Sequence, residues 1–319
     1  MVQIIKAVTL SLILGTATTE ANNLDFNNNQ KIRKVGNRER IQSVEKMIEV
    51  FYGKELYLYI PAIKNRTSSF KLPEDISIMV RGIFNSVGKS VQVISYLDPN
   101  NLPNKKVSII NGAITTFELV EISSEDGIQV ADDIKAGGEL SSVSMQDNLS
   151  KKVTKLGLTF SPSDANTGLF IPRTSTSNII DLQEISNSDR PQYAIFGVSL
   201  DLEDRETISD GIHSSLRELA EINSIEVLGK LAYFPYWLVT KTESDQDLVA
   251  YLSKNFLRDT LKDKLKKISY LLGLKNKNIE ITSFINSTLR DAIINYKQDK
   301  GLPPNDIISR KLYMSLLGI

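Results

Sequence analysis

Apolar and polar positions alternate along this chain with two different periods, and the switches between them mark its elements. In ELYLYI, residues 55–60, Leu56, Leu58 and Ile60 alternate with Tyr57 and Tyr59, which is the two-residue period of a strand. The polar loop AIKNRTSSFKLPED follows. In IMVRGIFNSVG the residues Ile78, Val80, Ile83, Phe84 and Val87 recur at helical steps, and SVQVISYLDP returns to strand character. With the short helix IQSVEKMIEVFY in front, this strand, helix, strand order predicts an α/β layer with the helix over the sheet.

Downstream the pattern is β-rich. KVSIINGAITTFELVEISSEDG reads as a long strand run broken at Asn111-Gly112, Lys151 to Phe160 as another strand, and Gln192 to Leu202 as a further one. Gly127 to Leu149 is polar, with Gly137-Gly138 at a predicted hairpin tip, and Gly168 to Ile185 reads as a Ser/Thr-rich hairpin or loop. DGIHSSLRELAEINSIEVLGKL then carries a long apolar stripe of Ile212, Leu216, Leu219, Ala220, Val227 and Leu231, with Pro235 as its stop. Lys241 to Asp259 is a charged, partly helical connection. In the tail, Ile285, Leu289, Ala292, Ile293 and Tyr296 share one helical face. Lys300-Gly301 predicts that helix's left-handed end, and Ser309 the N-cap of a last helix burying Leu312, Leu316 and Leu317.

Composition then removes whole classes of chemistry. The 319 residues contain no cysteine and one histidine, His213, so thiol nucleophiles, thiolate metal sites and multi-histidine zinc sites have no ligands here. Lysine plus arginine equals aspartate plus glutamate at 38 each, so no global field points to nucleic acid or to an anionic membrane. His213 lies near Asp210 and two serines but without a nucleophile elbow, and a partly buried structural histidine is expected. Asp132-Asp133 and the runs DLEDRE and TESDQD read as solvated carboxylates.

Met1 to about Ala21 has the form of a secretory signal peptide, with Lys6, the apolar run AVTLSLILG and small residues ending at Ala21. Cleavage near Ala21 and export are expected, an uncleaved anchor being the alternative. The asparagine-rich stretch to residue 40 reads as a flexible arm.

Two resemblances follow from these motifs. AIINYKQDKGL and ISRKLYMSLL, within the last 60 or so residues, resemble the peptidoglycan-binding domain that trails many bacterial cell-wall enzymes, although Ile281-Thr282-Ser283 and Asn305-Asp306-Ile307 stand where that family often has Asp-Gly turns. That resemblance implies a glycan contact beside the central helix, with Arg290, Tyr296, Lys297 and Arg310 as candidates; a helical cap without glycan affinity is the other reading. ELYLYIPAIKNRTSSFKLPEDISIMVRGIFNSVGKSVQVIS, IINGAITTFEL and SDGIHSSLRELAEINSIEVLGKLAYFPYW resemble the CsgG-like family of curli secretion channels. That likeness implies a ring whose protomers lend β-hairpins to a shared outer-membrane barrel, and a lumen loop at about Lys64 to Lys71, here Lys64, Asn65, Arg66 and Phe70. The family is usually lipid-anchored through a cysteine, which this chain lacks. Tyr236 and Trp237 are expected at packing or subunit interfaces. Only Gln192 to Leu202 alternates cleanly enough for a membrane-spanning strand.

The expected fold class is α+β: a signal peptide at 1–21, an arm at 22–40, a CsgG-like α/β body with long hairpins at 41–240, a linker at 241–260 and a three-helix domain at 261–319. The expected function is a non-catalytic, ring-forming periplasmic and outer-membrane-associated component of a secretion or surface-appendage machine. No cofactor or metal is expected. Its expected partners are its own copies, peptidoglycan and other envelope proteins. The alternatives are a monomeric peptidoglycan-binding adaptor and, third, a carboxylate-dependent wall hydrolase.

Overall fold

The computed structural model describes residues 40–98, 105–122, 151–185, 192–197, 207–208, 211–276 and 278–319. The expected signal peptide, the arm and the Gly137-Gly138 tip lie outside these residues. The fold is α+β, with helices and one mixed sheet. Helix α1 covers 40–47 and closes in a π-helical turn, Ile48–Tyr52, stopped by Gly53. The strands are β1 (Leu56–Tyr59), β2 (Lys64–Asn65), β3 (Val91–Ile94), β4 (Val107–Ile122), β5 (Lys151–Asp164), β6 (Thr176–Ile185), β7 (Gln192–Gly197) and β8 (Thr207–Ile208). Helix α2 (Ser77–Ser86) joins β2 to β3, and α3 (Ile212–Ala232) follows β8. Then come α4 (Trp237–Thr240), α5 (Gln246–Arg258), α6 (Leu261–Lys275), α7 (Ser287–Asp299) and α8 (Arg310–Leu316).

The sheet runs β3-β1-β4-β5-β6-β7-β8, with β2 also beside β4. β1 is parallel to both β3 and β4, whereas every pair from β4 to β8 is antiparallel. The parallel half follows from the α2 crossover, because parallel neighbours need a long connection while antiparallel ones need only a hairpin. β4 and β5 stay paired from Ser108↔Asp164 to Ile122↔Lys151 as one long antiparallel ladder.

β4 does not break at Asn111-Gly112. Gly112 lies opposite Phe160, and a Cβ there would stand 2.5 Å from the Phe160 ring and 2.9 Å from the Thr159 carbonyl oxygen. The glycine admits a neighbouring aromatic instead of ending the strand. The irregularity comes later, between Ile114 and Thr116. Gly168 to Ile185 divides into a turn and the ordered strand β6.

α3 lies against β5, β6 and α2 and is buried around most of its circumference from Leu219 to Gly229, polar Glu221, Asn223, Ser224 and Glu226 included. Burial on every side marks a helix at the centre of a fold. α2 buries Val80, Ile83 and Phe84 as expected, whereas Ile78 of the same pattern is exposed.

The tail is where domain organisation departs from expectation. Glu39–Ile319 forms one compact unit. A single hydrophobic core runs from Val44 and Met47 through Leu58, Phe84 and Leu219 to Leu265, Ile293, Leu312 and Leu317. The stretch read as a linker holds α5, capped by Asp245, whose carboxylate accepts from Leu248 N at 3.0 Å. Phe256 of α5 stacks on Tyr313 of α8, ring centroids 4.0 Å apart. Tyr270 of α6 donates to the Ser43 carbonyl of α1 at 3.0 Å. The three closing helices exist as read, with Ser309 capping α8 and Gly301 at φ 65°, but they complete the body rather than stand apart from it.

Candidate functional site

After β1 the chain leaves the sheet through Ile60 and rejoins it as β2, where Lys64 and Asn65 pair with Ala113 and Ile114 of β4. It then forms a loop whose two ends are tied. Asn65 N donates to Glu74 O (2.9 Å), Ile76 N to Ile63 O (3.0 Å), and Arg66 N to Ile114 O (3.0 Å). The interior is braced by its own side chains. Asn65 Oδ1 accepts from Thr67 N and Oγ1 at 2.9 and 2.7 Å, and Asn65 Nδ2 donates to Ser69 O at 2.9 Å. Asparagine and threonine bond backbone two residues on in just this way, which holds a turn that no ladder supports.

Asp75 closes the base by accepting from Ser77 N at 2.6 Å, at the start of α2. Burial pushes its carboxyl up, but the bonds from Ser77 and Ile63 and the Arg81 guanidinium outweigh that and hold it below the ordinary aspartate value. Arg81 also donates to Ile60 O from Nε and Nη2, at 3.0 and 2.7 Å, fixing the point where β1 ends. On this frame Leu72 is buried, Lys64, Arg66 and Lys71 are exposed, and Phe70 is 95% exposed. The structure therefore brings Lys64, Asn65, Arg66 and Phe70 together on one pinned loop, with the exposed Ile78 in the first turn beyond it. Phe70 therefore stands in water on a loop held by its own hydrogen bonds.

The four tail residues do not form a groove. Tyr296 is buried, and its hydroxyl donates to Ser315 O at 2.8 Å. Lys297 is buried too, and its ammonium donates to Asn305 Oδ1 and Ile307 O, each at 2.6 Å, which holds the turn between α7 and α8. Desolvation lowers its pKa. Arg310 Nε donates to Ser253 Oγ of α5 at 2.7 Å, and exposed Arg290 pairs with Asp306 at 3.2 Å. Helical periodicity placed Tyr296 on the buried face, where it meets α8, and Lys297, the next residue, meets the turn before α8. An open cleft of about 360 Å³ does lie beside α6 and α7, lined by Lys266, Glu280, Ile281, Thr282, Ser283, Phe284 and Asn286, with the Phe284 side chain well exposed.

Tyr236 and Trp237, expected at packing or a subunit interface, are only 4% and 6% exposed and pack inward. Trp237 Nε1 donates to Leu317 O at 2.9 Å, and Tyr236 OH reaches Glu226 Oε1 at 3.5 Å. Burial, followed by the negative charges of Glu226 and Asp245, pushes the Tyr236 phenol far above its ordinary value, so it stays neutral. Glu226 belongs to a network that sequence reading missed. Asn178 of β6 donates to Asn223 Oδ1 (2.9 Å) and Glu226 Oε2 (2.7 Å), Asn223 Nδ2 to Leu158 O (3.1 Å), and Lys230 Nζ to Glu226 (2.8 Å) and Ser175 O (3.0 Å). The available signal was Asn223 and Glu226 in the middle of α3, where an enclosed helix needs partners for such side chains within the protein. The network locks α3 to the sheet.

His213 is exposed in the first turn of α3, not partly buried as expected. Among the described residues no cluster of three His, Cys, Asp or Glu side chains is arranged to hold a metal ion, and no helix is long and apolar enough to cross a membrane. No protein-family model matches this chain, and no curated protein matches it.

Proposed function

We propose that the protein is a non-catalytic, self-associating component of a bacterial envelope secretion or appendage-assembly machine, acting through the loop of Lys64, Asn65, Arg66 and Phe70. The observation that carries the reading is the loop itself, a turn braced from within that holds Phe70 almost wholly in solvent directly after the first strand. The position agrees with the lumen loop that the CsgG-like resemblance implies, and the extended β4 and β5 pair agrees with its lent hairpins. In this reading copies of the chain form a ring, periplasmic and associated with the outer membrane, with Phe70 turned to the passage.

Light scattering and negative-stain imaging of the extracted protein test it. A mass several-fold above the 35.6 kDa of one chain, with ring images, supports the reading, and a monomer refutes it. Phe70→Ala should leave ring and melting temperature unchanged while impairing export, because the side chain buries nothing in its own chain.

Peptidoglycan tethering is the second reading. The cleft favours it, since exposed Phe284 offers a ring face to a sugar and Thr282, Ser283 and Asn286 surround it. Sedimentation with sacculi should weaken in Phe284→Ala. Equal sedimentation of the two proteins removes tethering from the proposal.

A further inference from the structure

The charges of the whole chain balance, yet residues 254–267 hold six lysines or arginines against two aspartates. Asp259 is paired with a cation, whereas Asp263 is an exposed carboxylate bonded to a hydroxyl, which leaves a net excess of four positive charges. Asp259 accepts from the buried Lys267 ammonium at 2.6 Å, and Asp263 accepts from Thr260, the N-cap of α6, at 2.6 Å. Lys254, Arg258, Lys262 and Lys266 are all exposed.

Between these cations two leucines project into water at the corner where α5 meets α6. Leu257 is 57% exposed and Leu261 63%. Farther along the same solvent face of α5, Tyr251 stacks on Tyr233 at 4.3 Å, both rings partly exposed. Tyr233 occupies the left-handed position that ends α3, at φ 54°, where glycine is the usual occupant. That conformation disfavours a tyrosine by about 1 kcal/mol or more, and it turns an aromatic outward. The surface therefore combines projecting leucines, half-exposed tyrosines and a rim of lysine and arginine, the three ingredients of a helix surface that lies in a lipid headgroup region.

We propose that the α5–α6 corner docks on an anionic lipid surface, Leu257 and Leu261 entering the headgroup boundary while Lys254, Arg258, Lys262 and Lys266 meet the phosphates. Charge complementarity selects the partner, because this stretch of an otherwise neutral chain carries a local excess of cations beside exposed apolar side chains. The contact is peripheral and needs neither the ring nor the hairpins, so it stands or falls separately from the proposed function.

Flotation of the full chain with vesicles tests it. Capture by phosphatidylglycerol vesicles is expected, with at least about tenfold less on phosphatidylcholine and a marked loss at about 0.3 M salt. Lys254→Gln with Lys262→Gln should weaken capture about 25-fold, at roughly fivefold per lysine. Leu257→Ser with Leu261→Ser should abolish it at an unchanged melting temperature, since neither side chain belongs to the core. No capture of the wild type, equal capture by the neutral lipid, or full capture of the well-folded double-serine variant would each overturn the proposal.

Discussion

At the scale of single residues, the tail teaches most through Lys297. A lysine near a helix end is ordinarily solvated, yet this one is buried, its amine donating to Asn305 Oδ1 and Ile307 O together. Lys297→Met keeps the apolar stem and strands that carbonyl, so a loss of about 1–3 kcal/mol is expected by chemical denaturation with an unaltered m-value. Glu221 is the opposite case. It is buried on α3 and its Oε2 has no partner among the described residues. Burial, then the charge of Glu218, raises its pKa, with Arg217 and Arg40 only partly opposing. The folded state thus holds the proton more tightly than the unfolded chain, and the stability it contributes is present at low pH and lost as pH rises through the folded value. Glu221→Gln should accordingly be more stable than the wild type at about pH 8, the advantage vanishing near pH 4. Thermal melts across that range check the sign, and an advantage that is the same at both ends would refute the account.

At the scale of elements, alternation and helical steps located β1, α2, α7 and α8 directly, because each buries one face against the same core, and located α3 as well, although its middle is enclosed on nearly every side. The misreadings have a common physical cause. Asn111-Gly112 looks like a turn locally, but its φ is ordinary and the missing side chain is used for the close approach of Phe160. Gly112→Val forces the valine methyls into that ring, and we expect a loss of about 1–3 kcal/mol, read from the urea midpoint. The TESDQD run looked like solvated charge, yet its Asp245 ends a turn and starts α5. The loop of Lys64 to Lys71 was legible as polar and Asn/Ser/Thr-rich, but its bracing was not, since it depends on where β2 and Glu74 meet in space.

At the scale of the whole molecule, body and tail share one core, joined by Trp237 to Leu317, Phe256 to Tyr313 and Tyr270 to Ser43. Limited proteolysis should therefore yield no stable pair of fragments split within residues 241–260, and unfolding of the described unit should be a single transition. Recovery of a folded 261–319 fragment would contradict this. Trp237→Phe retains the ring packing but loses the bond to Leu317 O, and we expect about 1–2 kcal/mol less stability with the tail still docked. A separate linker was a reasonable reading of a charged stretch, because surface charge on a helix and charge in a tether look alike when the apolar side chains of the buried face are Leu248, Val249, Leu252 and Phe256.

The sequence alone determined the α+β class, the strand, helix, strand order, the three closing helices with the Gly301 end and the Ser309 cap, and the absence of cysteine and imidazole-cluster chemistry. These are local properties of spacing and composition, readable without knowing what each element touches. Tertiary structure alone decided that the tail completes the body, that Tyr236, Trp237, Tyr296 and Lys297 point inward, and that Phe70, Leu257 and Leu261 point out. Amphipathic spacing says that a residue lies on a face; only the packing of one element on another says whether that face is covered.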